Sequence, residues 1–540
     1  MKKIVTGLFI LSIFGSCTKN FDSTNQDPNQ ITNELLTQDN NLLGSPIASM
    51  IFNLNGHQIE EDLLQDSWMG YMNTGTPFTN NSNNTTYYIQ WNSYWDREYG
   101  SVMAPGANVV KLSQQYNLPL FGTWSKLIQI ISMSKLSAVH GPVIYSNYGS
   151  TAASIPYDSE KDLYNLFFAQ LDTIQSAFAA NTTYAGFKKF DPTNWGGSIP
   201  QWMKLVNSLR LRLAMRLSEV DKVTAQAQGE KALADPAGLM TSNSDNFTNS
   251  LLGNIMPVAQ ICYQWGDTRM GGVFETFLVG LNDGRISSYF APVTDLTLVP
   301  DHPGIPYKGI RNGSYINAKN DHINFSFVNN NFNNPPNGGN TTTRRDFTAA
   351  EVAFLKAEAG LRGWANAGDP QTNYENGIRL SFADWGAAGV DAYIADGTSK
   401  PLANYVDPID PRNSGPTRST VTIKWNSADS KELMLEKIIT QKWINNFTQS
   451  LESWVDFRRT GYPRIQHVAN NTSSATWGVI PANQWIKRMP FLNEERVGNA
   501  AAVAAAVTTM GTGAADDIAT RLYFDTGAND VDNAVFNNFP

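Results

Sequence analysis

Apolar residues recur at every third or fourth position over long stretches of the chain, which is the spacing of a helix that buries one face. In residues 199–221 this stripe consists of Trp202, Leu205, Leu209, Leu213 and Leu217. Residues 159–179 show the same period, and Ser159, with Asp162 three positions later, predicts an N-cap at the start. Both segments are therefore predicted to be amphipathic helices.

A second helical region lies beyond residue 345. Residues 347–364 and 374–386 predict a helix pair joined by a Gly-Asp-Pro turn. Such a pair is similar to a tetratricopeptide hairpin, although the strict repeat of that class is not visible. Close approach of the two helices is favoured by the small residues Ala357, Ala359, Gly360 and Gly377.

A third helical block covers residues 431–465, and its end carries several stop signals. Gly461 suits a left-handed cap and Pro463 prevents continuation. Arg458 and Arg459 allow two interpretations: they complement the helix dipole and bond to carboxylates such as Asp456, or they bind an anion. We favour the first, because basic residues are common in the last turn of a helix.

The helical period fades between residues 240 and 345 and again between 391 and 429, where Asn, Pro, Gly and Thr are frequent. Residues 73–86 have the same polar character. We therefore predict a mostly α fold, built as a tetratricopeptide-like scaffold of helical pairs with a loop-rich second region. The prediction treats residues 17–540 as one domain, with the helical scaffold at about 34–240 and 345–510 and the loop-rich region at about 240–345 and 391–429.

The N-terminus predicts export and lipidation. Lys2 and Lys3 precede an apolar run and then Cys17, so residues 1–16 are predicted to be a lipoprotein signal peptide, with Cys17 as the lipidated residue. The other cysteine, Cys262, then has no internal disulfide partner and is predicted to be a small buried residue. The net charge of −8 argues against a nucleic-acid partner, which requires a clustered basic surface.

Residues 87–99, YYIQWNSYWDREY, are rich in tyrosine and tryptophan. On a helix beginning at residue 91, one face would carry Trp91, Trp95, Tyr99, Val102 and Met103, which is more typical of a core than of a binding surface. Glu98 falls within that stripe and is expected to need a buried partner.

Other rings lie beside polar loops, where sugars could stack on them while amides and charged groups pair with the hydroxyls. The alternative for each ring is that it pins its loop. The ligand-binding candidates are Trp68, Tyr71, Tyr87, Tyr88, Trp265, Tyr289, Phe290, Tyr307, Arg311 and Asn312.

Motifs for metals, cofactors and catalysis are weak. The five histidines form no close ligand pair, although the Asp301-His302 and Asp321-His322 steps repeat a motif. Neither a nucleophile elbow nor a phosphate-binding loop occurs in the sequence. We therefore expect no metal and no cofactor. A glycoside-processing enzyme stays open as an alternative, with Asp66, Glu98 or Asp267 as candidate carboxylates.

Long motifs resemble the SusD/RagB family of nutrient-binding outer-membrane lipoproteins from Bacteroidetes. The resemblance is carried by WMKLVNSLRLRLAMRLS at 202–218, FTAAEVAFLKAEAGLRGW at 347–364, YENGIRLSF at 374–382 and IITQKWINNFTQSLESWVDFRRTGYP at 438–463. The start FDSTNQDPNQIT at 21–32 and the closing TRLYFDTG at 520–527 extend it over nearly the whole chain.

The resemblance implies a helical binding protein without catalysis. It would be lipid-anchored in the outer membrane and face the cell surface above a SusC-like TonB-dependent transporter. There it would capture an oligosaccharide and hand it to that transporter, and a peptide cargo is the alternative within the same family.

Overall fold

The computed structural model describes residues 38–54, 56–332, 343–530 and 538–539. The predicted signal peptide and Cys17 lie outside these residues. Within them, no helix is both long and apolar enough to cross a membrane.

Helices dominate the described residues, which confirms the predicted mostly α class. The longer helices are α1 (Asn41–Phe52), α2 (Ala104–Gln115), α3 (Pro119–His140), α4 (Glu160–Ala179), α5 (Ile199–Arg216), α6 (Lys222–Ala234), α7 (Gly272–Gly280), α8 (Ala349–Leu361), α9 (Pro370–Asp384), α10 (Lys431–Asn445), α11 (Ser450–Thr460) and α12 (Ala500–Thr509). Shorter helical segments include Gln58–Glu60, Glu61–Gln65, Asp66–Trp68, Tyr94–Arg97, Glu98–Met103, Pro257–Ala259, Gln260–Gln264, Ile286–Tyr289, Val390–Ala395 and Asn493–Gly498.

Local sequence signals explain where several helices begin and end. The Ser159 hydroxyl accepts a hydrogen bond from the Asp162 N–H at 3.2 Å, so the predicted cap of α4 is confirmed. Gly461 adopts a left-handed conformation (φ 81°) directly after α11, as predicted. The predicted third block is not continuous, because α10 ends at Asn445 and α11 begins at Ser450.

Neighbouring helices pack in pairs, with α2 against α3, α5 against α6 and α8 against α9. Between α8 and α9 the contact is tight: a Cβ added at Gly377 would lie 2.7 Å from the Phe354 ring. Small residues therefore do allow this pair to approach closely. The tetratricopeptide-like character of the pairs and the proposed domain division stay predictions.

In the part of the chain that the structure describes, the strands are short and form three antiparallel pairs. They are β1 (Met72–Thr74) with β3 (Thr268–Met270), β2 (Phe247–Ser250) with β4 (Thr343–Phe347), and β5 (Asn404–Tyr405) with β6 (Gly415–Pro416). The first pair is important for the site, because it brings the loop after residue 74 beside the loop before residue 268.

The core contains charged groups as well as apolar ones. Arg459 is fully buried and donates to Glu358 at 2.6 and 2.8 Å and to Asp456 at 3.0 Å, so the structural interpretation of the Arg458-Arg459 pair is confirmed. Arg458 donates to the carbonyl oxygens of Ala138 and Lys487. Cys262 is buried, also as predicted.

Candidate ligand-binding face

Five of the predicted binding rings lie in the core, and for these the binding prediction is wrong. Trp68 is 2% exposed, and the exposure of the others is 0%; they are Tyr71, Tyr87, Tyr289 and Phe290. A ring without an exposed face cannot stack on a ligand. The position of these rings next to polar loops in the sequence predicted that they are exposed. In the fold, the rings instead fill the space beneath those loops.

Contacts around these rings show what they do instead. Tyr71 packs on Phe274 and Trp443, with ring centroids 5.0 and 5.5 Å apart, and its hydroxyl contacts the Ser453 hydroxyl at 2.7 Å. Tyr289 donates to the Ile444 carbonyl at 3.0 Å. The Trp68 indole N–H donates to the Asn84 carbonyl at 2.9 Å. They join α10 and α11 to the loop-rich region.

Arg311 and Asn312 also hold the scaffold together. The Arg311 guanidinium donates to the carbonyl oxygens of Asn413, Ser414 and His467, between 3.0 and 3.3 Å. Asn312 is 1% exposed and accepts from the Asn73 amide at 3.0 Å. Asn312 is buried, so the binding prediction for it is also wrong, whereas Arg311 is partly exposed and its binding role stays a prediction.

Trp265 is the most exposed of the predicted rings, with 56% of its surface exposed. Lys319 donates to its carbonyl oxygen at 2.7 Å and to Asp267 at the same distance. Asp267 also accepts from the Thr76 hydroxyl at 2.5 Å. The tryptophan therefore lies on a loop that contacts with Lys319 and Thr76 hold from two sides, and the charges of Asp267 and Lys319 are beside it.

A second ring lies on the adjoining segment. Tyr315 is partly exposed and stacks against the Arg412 guanidinium, 4.3 Å from the ring centroid. Asp410 binds Arg412 through both carboxylate oxygens, which fixes its orientation. The Asn81 side chain pairs with both backbone groups of Ile316, at 3.0 and 2.9 Å, and so joins the loop after β1 to this segment.

Trp91 belongs to the same surface, contrary to its predicted place in a helical core stripe. The helix begins only at Tyr94, so Trp91 lies in an irregular segment and is partly exposed. Its ring meets Phe78 edge-on at 5.1 Å. Trp95, Val102 and Met103 are buried as predicted, and Glu98 accepts a hydrogen bond from Ser132, whereas Tyr99 is only partly buried.

These residues form one surface, which we name the loop face. It consists of Thr76, Phe78, Asn81, Trp91, Trp265, Asp267, Tyr315, Lys319 and Arg412. Flat rings with charged and amide groups between them are the combination that suits a hydroxyl-rich ligand. Tyr88 and Tyr307, the remaining predicted rings, are both partly exposed.

Among the described residues, one group of side chains of the metal-binding type comes together, at Glu275, Asp301 and His302. Lys308 lies in the same group and donates to Glu275 at 2.8 Å. Its ammonium already supplies the positive charge that these carboxylates need. His322 is separate and lies 3.2 Å from Asp407, so the two Asp-His steps have different partners.

The three candidate carboxylates of the enzyme alternative lie in different surroundings. Asp66 and Glu98 are buried at 3% and 4% exposure. Asp267 is on the loop face but is bound to Lys319 and Thr76. Asp66 and Glu98 are therefore not on an open cleft, where glycoside hydrolysis places its two carboxyl groups.

Comparison with known proteins extends over nearly the whole chain. The model of the SusD-like family, described as SusD and RagB outer membrane lipoprotein, matches residues 23–525. No curated protein matches the chain.

Solved structures of similar proteins have the same fold. A chitin-binding SusD homolog from Flavobacterium johnsoniae is 35% identical, with a TM-score of 0.82, and the match covers 92% of this chain and 100% of that one. A SusD homolog from Bacteroides vulgatus is 29% identical, with a TM-score of 0.80, over 90% and 98% of the two chains. A SusD-like protein from Bacteroides thetaiotaomicron is 28% identical, with a TM-score of 0.79, over 89% and 98%. The chain therefore belongs to the SusD-like family of outer-membrane lipoproteins.

Proposed function

We propose that this protein captures an oligosaccharide on the loop face. The observation that supports this proposal most directly is the exposed Trp265 ring, which lies on a loop held by the ion pair of Lys319 and Asp267. A sugar could stack its C–H face on this ring and pair its hydroxyls with the two charged groups. The similarity to a chitin-binding homolog suggests oligosaccharides with N-acetyl groups as the first ligands to test.

We also propose where the protein is anchored and which partner receives its ligand. Lipid on Cys17 would anchor the protein at the outer membrane with the loop face toward the cell exterior. A SusC-like TonB-dependent transporter would receive the oligosaccharide. The function is one of binding, with no catalytic step and no cofactor.

Calorimetric titration of the mature chain against chitohexaose, cellohexaose and a peptide mixture tests this proposal. We expect heat with chitohexaose, and weaker heat with cellohexaose because it lacks the acetamido groups. Absence of heat with chitohexaose would contradict oligosaccharide capture, and heat with peptides alone would favour the peptide alternative if Trp265→Ala abolishes it. Release of shorter sugars from chitohexaose would favour the enzyme alternative.

The membrane setting is tested separately in cells. Cys17→Ala should move the protein from the outer-membrane fraction to the soluble fraction, because the acyl chains are attached to this residue. The readout is the distribution of the protein between the two fractions, with the wild type as control. Retention of the variant in the membrane would contradict lipid anchoring.

A further inference from the structure

A cleft lies on the helical scaffold, where α2, α3 and α4 meet, with a volume of about 310 Å³. Ile174 of α4 is buried at its floor, and Val110 and Pro119 supply apolar walls. The volume falls at the small end of the range of ligand pockets, about 300 to 1,000 Å³. No residue of the loop face lines this cleft.

Lys126 of α3 brings a positive charge to the cleft. No carboxylate among the described residues pairs with Lys126, whose ammonium lies 5.6 Å from the centroid of the Tyr145 ring. Asp172 of α4 is bound to Arg210 and Lys231, each at 2.6 Å. Burial lowers the pKa of the Lys126 amine, as expected for a charge without a counter-ion. An ammonium in this position favours an anionic ligand.

Polar side chains at the rim of this cleft indicate which class of anionic ligand fits it. The Thr123 hydroxyl donates to the Pro119 carbonyl at 3.1 Å, so its oxygen can still accept a hydrogen bond from a ligand. Gln170 accepts from the Tyr145 hydroxyl, which holds that amide in place, and Gln114 lies on the opposite wall. A peptide group could pair with these amides and hydroxyls, whereas the methylene chain of a fatty acid could not.

We propose that this cleft binds the C-terminal residue of a peptide, with its carboxylate on Lys126 and its apolar side chain against Ile174, Val110 and Pro119. Such a site is independent of oligosaccharide binding at the loop face. It would give the protein a second, peptide-directed contact on its helical side.

Ligand-observed NMR titration of the mature protein with N-acetyl-leucine and N-acetyl-leucinamide tests the site. The two probes differ in the carboxylate, so the acid should bind at least tenfold more tightly than the amide. Lys126→Met keeps the aliphatic stem and should abolish the preference. Lys111→Met, at an exposed lysine of α2, is the matched control and should leave both affinities unchanged.

Several results would overturn the proposal. Equal binding of acid and amide, binding of neither, or an unchanged preference in Lys126→Met would each exclude a carboxylate site at Lys126. Hexanoate binding as tightly as N-acetyl-leucine would show that the peptide group is not recognised and would assign the cleft to simple fatty acids. Chitohexaose binding does not depend on this cleft, so the two proposals can fail separately.

Discussion

At the scale of single residues, buried charges are held by paired partners. Arg459 links Glu358 and Asp456, and the exposed fraction of these side chains is 0%, 1% and 7%. Desolvating three such groups is costly, and the cost is offset only while every partner is present. The network joins α8 to α11, so its integrity matters for the whole scaffold.

Removing the central arginine should be strongly destabilising. Arg459→Met would remove the cation that the two carboxylates share, while Arg362 and Lys442 stay beside them, so the free energy of unfolding should fall by about 3 kcal/mol, the low end for breaking a buried pair. Urea unfolding followed by tryptophan fluorescence measures the change. Arg379→Met is the control, because Arg379 and Asp391 are 47% and 83% exposed and their pair should contribute less than about 1 kcal/mol. Equal losses in the two variants would contradict the account.

Glu160 predicts a dependence of stability on pH. Burial raises the pKa of Glu160 to about 7, against the opposing hydrogen bond from the Tyr523 N–H at 2.8 Å. The folded state therefore holds this proton more tightly than the unfolded state, so the carboxyl lowers stability as the pH rises from about 4.5 to about 7.

Glu160→Gln removes that titration and keeps an acceptor for Tyr523. The variant should gain stability relative to the wild type as the pH rises through that window. Urea unfolding at pH 4 and at pH 8 measures the difference. A difference between variant and wild type that is the same at both pH values would contradict the raised pKa.

At the scale of elements, the helical period was an adequate guide to the scaffold. The helical period predicted α4, α5, α8 and α9, and the Ser159 cap predicted the start of α4, because amphipathic spacing and capping are local properties. The spacing of rings from Trp91 onward predicted a helix too early, since Tyr94 begins it. This offset of three residues places Trp91 on the surface and not in the core. The periodic pattern alone does not indicate where a helix starts.

The α8–α9 contact gives a direct test of close packing. Gly377→Ala places a methyl group 2.7 Å from the buried Phe354 ring, and such overpacking costs about 1 to 3 kcal/mol. The better helix propensity of alanine, worth about 1 kcal/mol, offsets part of that cost. Denaturant unfolding should therefore show a net loss of stability.

Two further variants separate packing from propensity. Phe354→Leu should lower the free energy of unfolding less in the Gly377→Ala variant than in the wild type, because the smaller side chain makes room for the methyl group. Gly100→Ala is the control for propensity, since a Cβ there meets nothing within 4 Å, and it should be neutral or stabilising. A Gly377→Ala protein more stable than the wild type would contradict the close contact.

At the scale of the whole molecule, burial decides which rings can serve a ligand. Tyr71, Tyr289 and Trp265 look alike in sequence, since each lies near a polar loop. Tyr71 contacts Trp443 of α10 and Ser453 of α11, and Tyr289 contacts Ile444 of α10, all of them more than 150 residues away along the chain. Only tertiary packing separates them from Trp265, so the sequence could predict aromatic rings beside polar loops but could not predict which of those rings are exposed.

The measurement that tests the central claim most directly is calorimetric titration of chitohexaose into Trp265→Ala beside the wild type and Tyr116→Ala. Tyr116 is also exposed, at 38%, but it lies at the end of α2 and outside the loop face. We expect Trp265→Ala to weaken binding at least about tenfold, or about 1.4 kcal/mol, and Tyr116→Ala to leave it unchanged. Wild-type affinity in Trp265→Ala would show that the oligosaccharide does not bind on the loop face and would contradict the account.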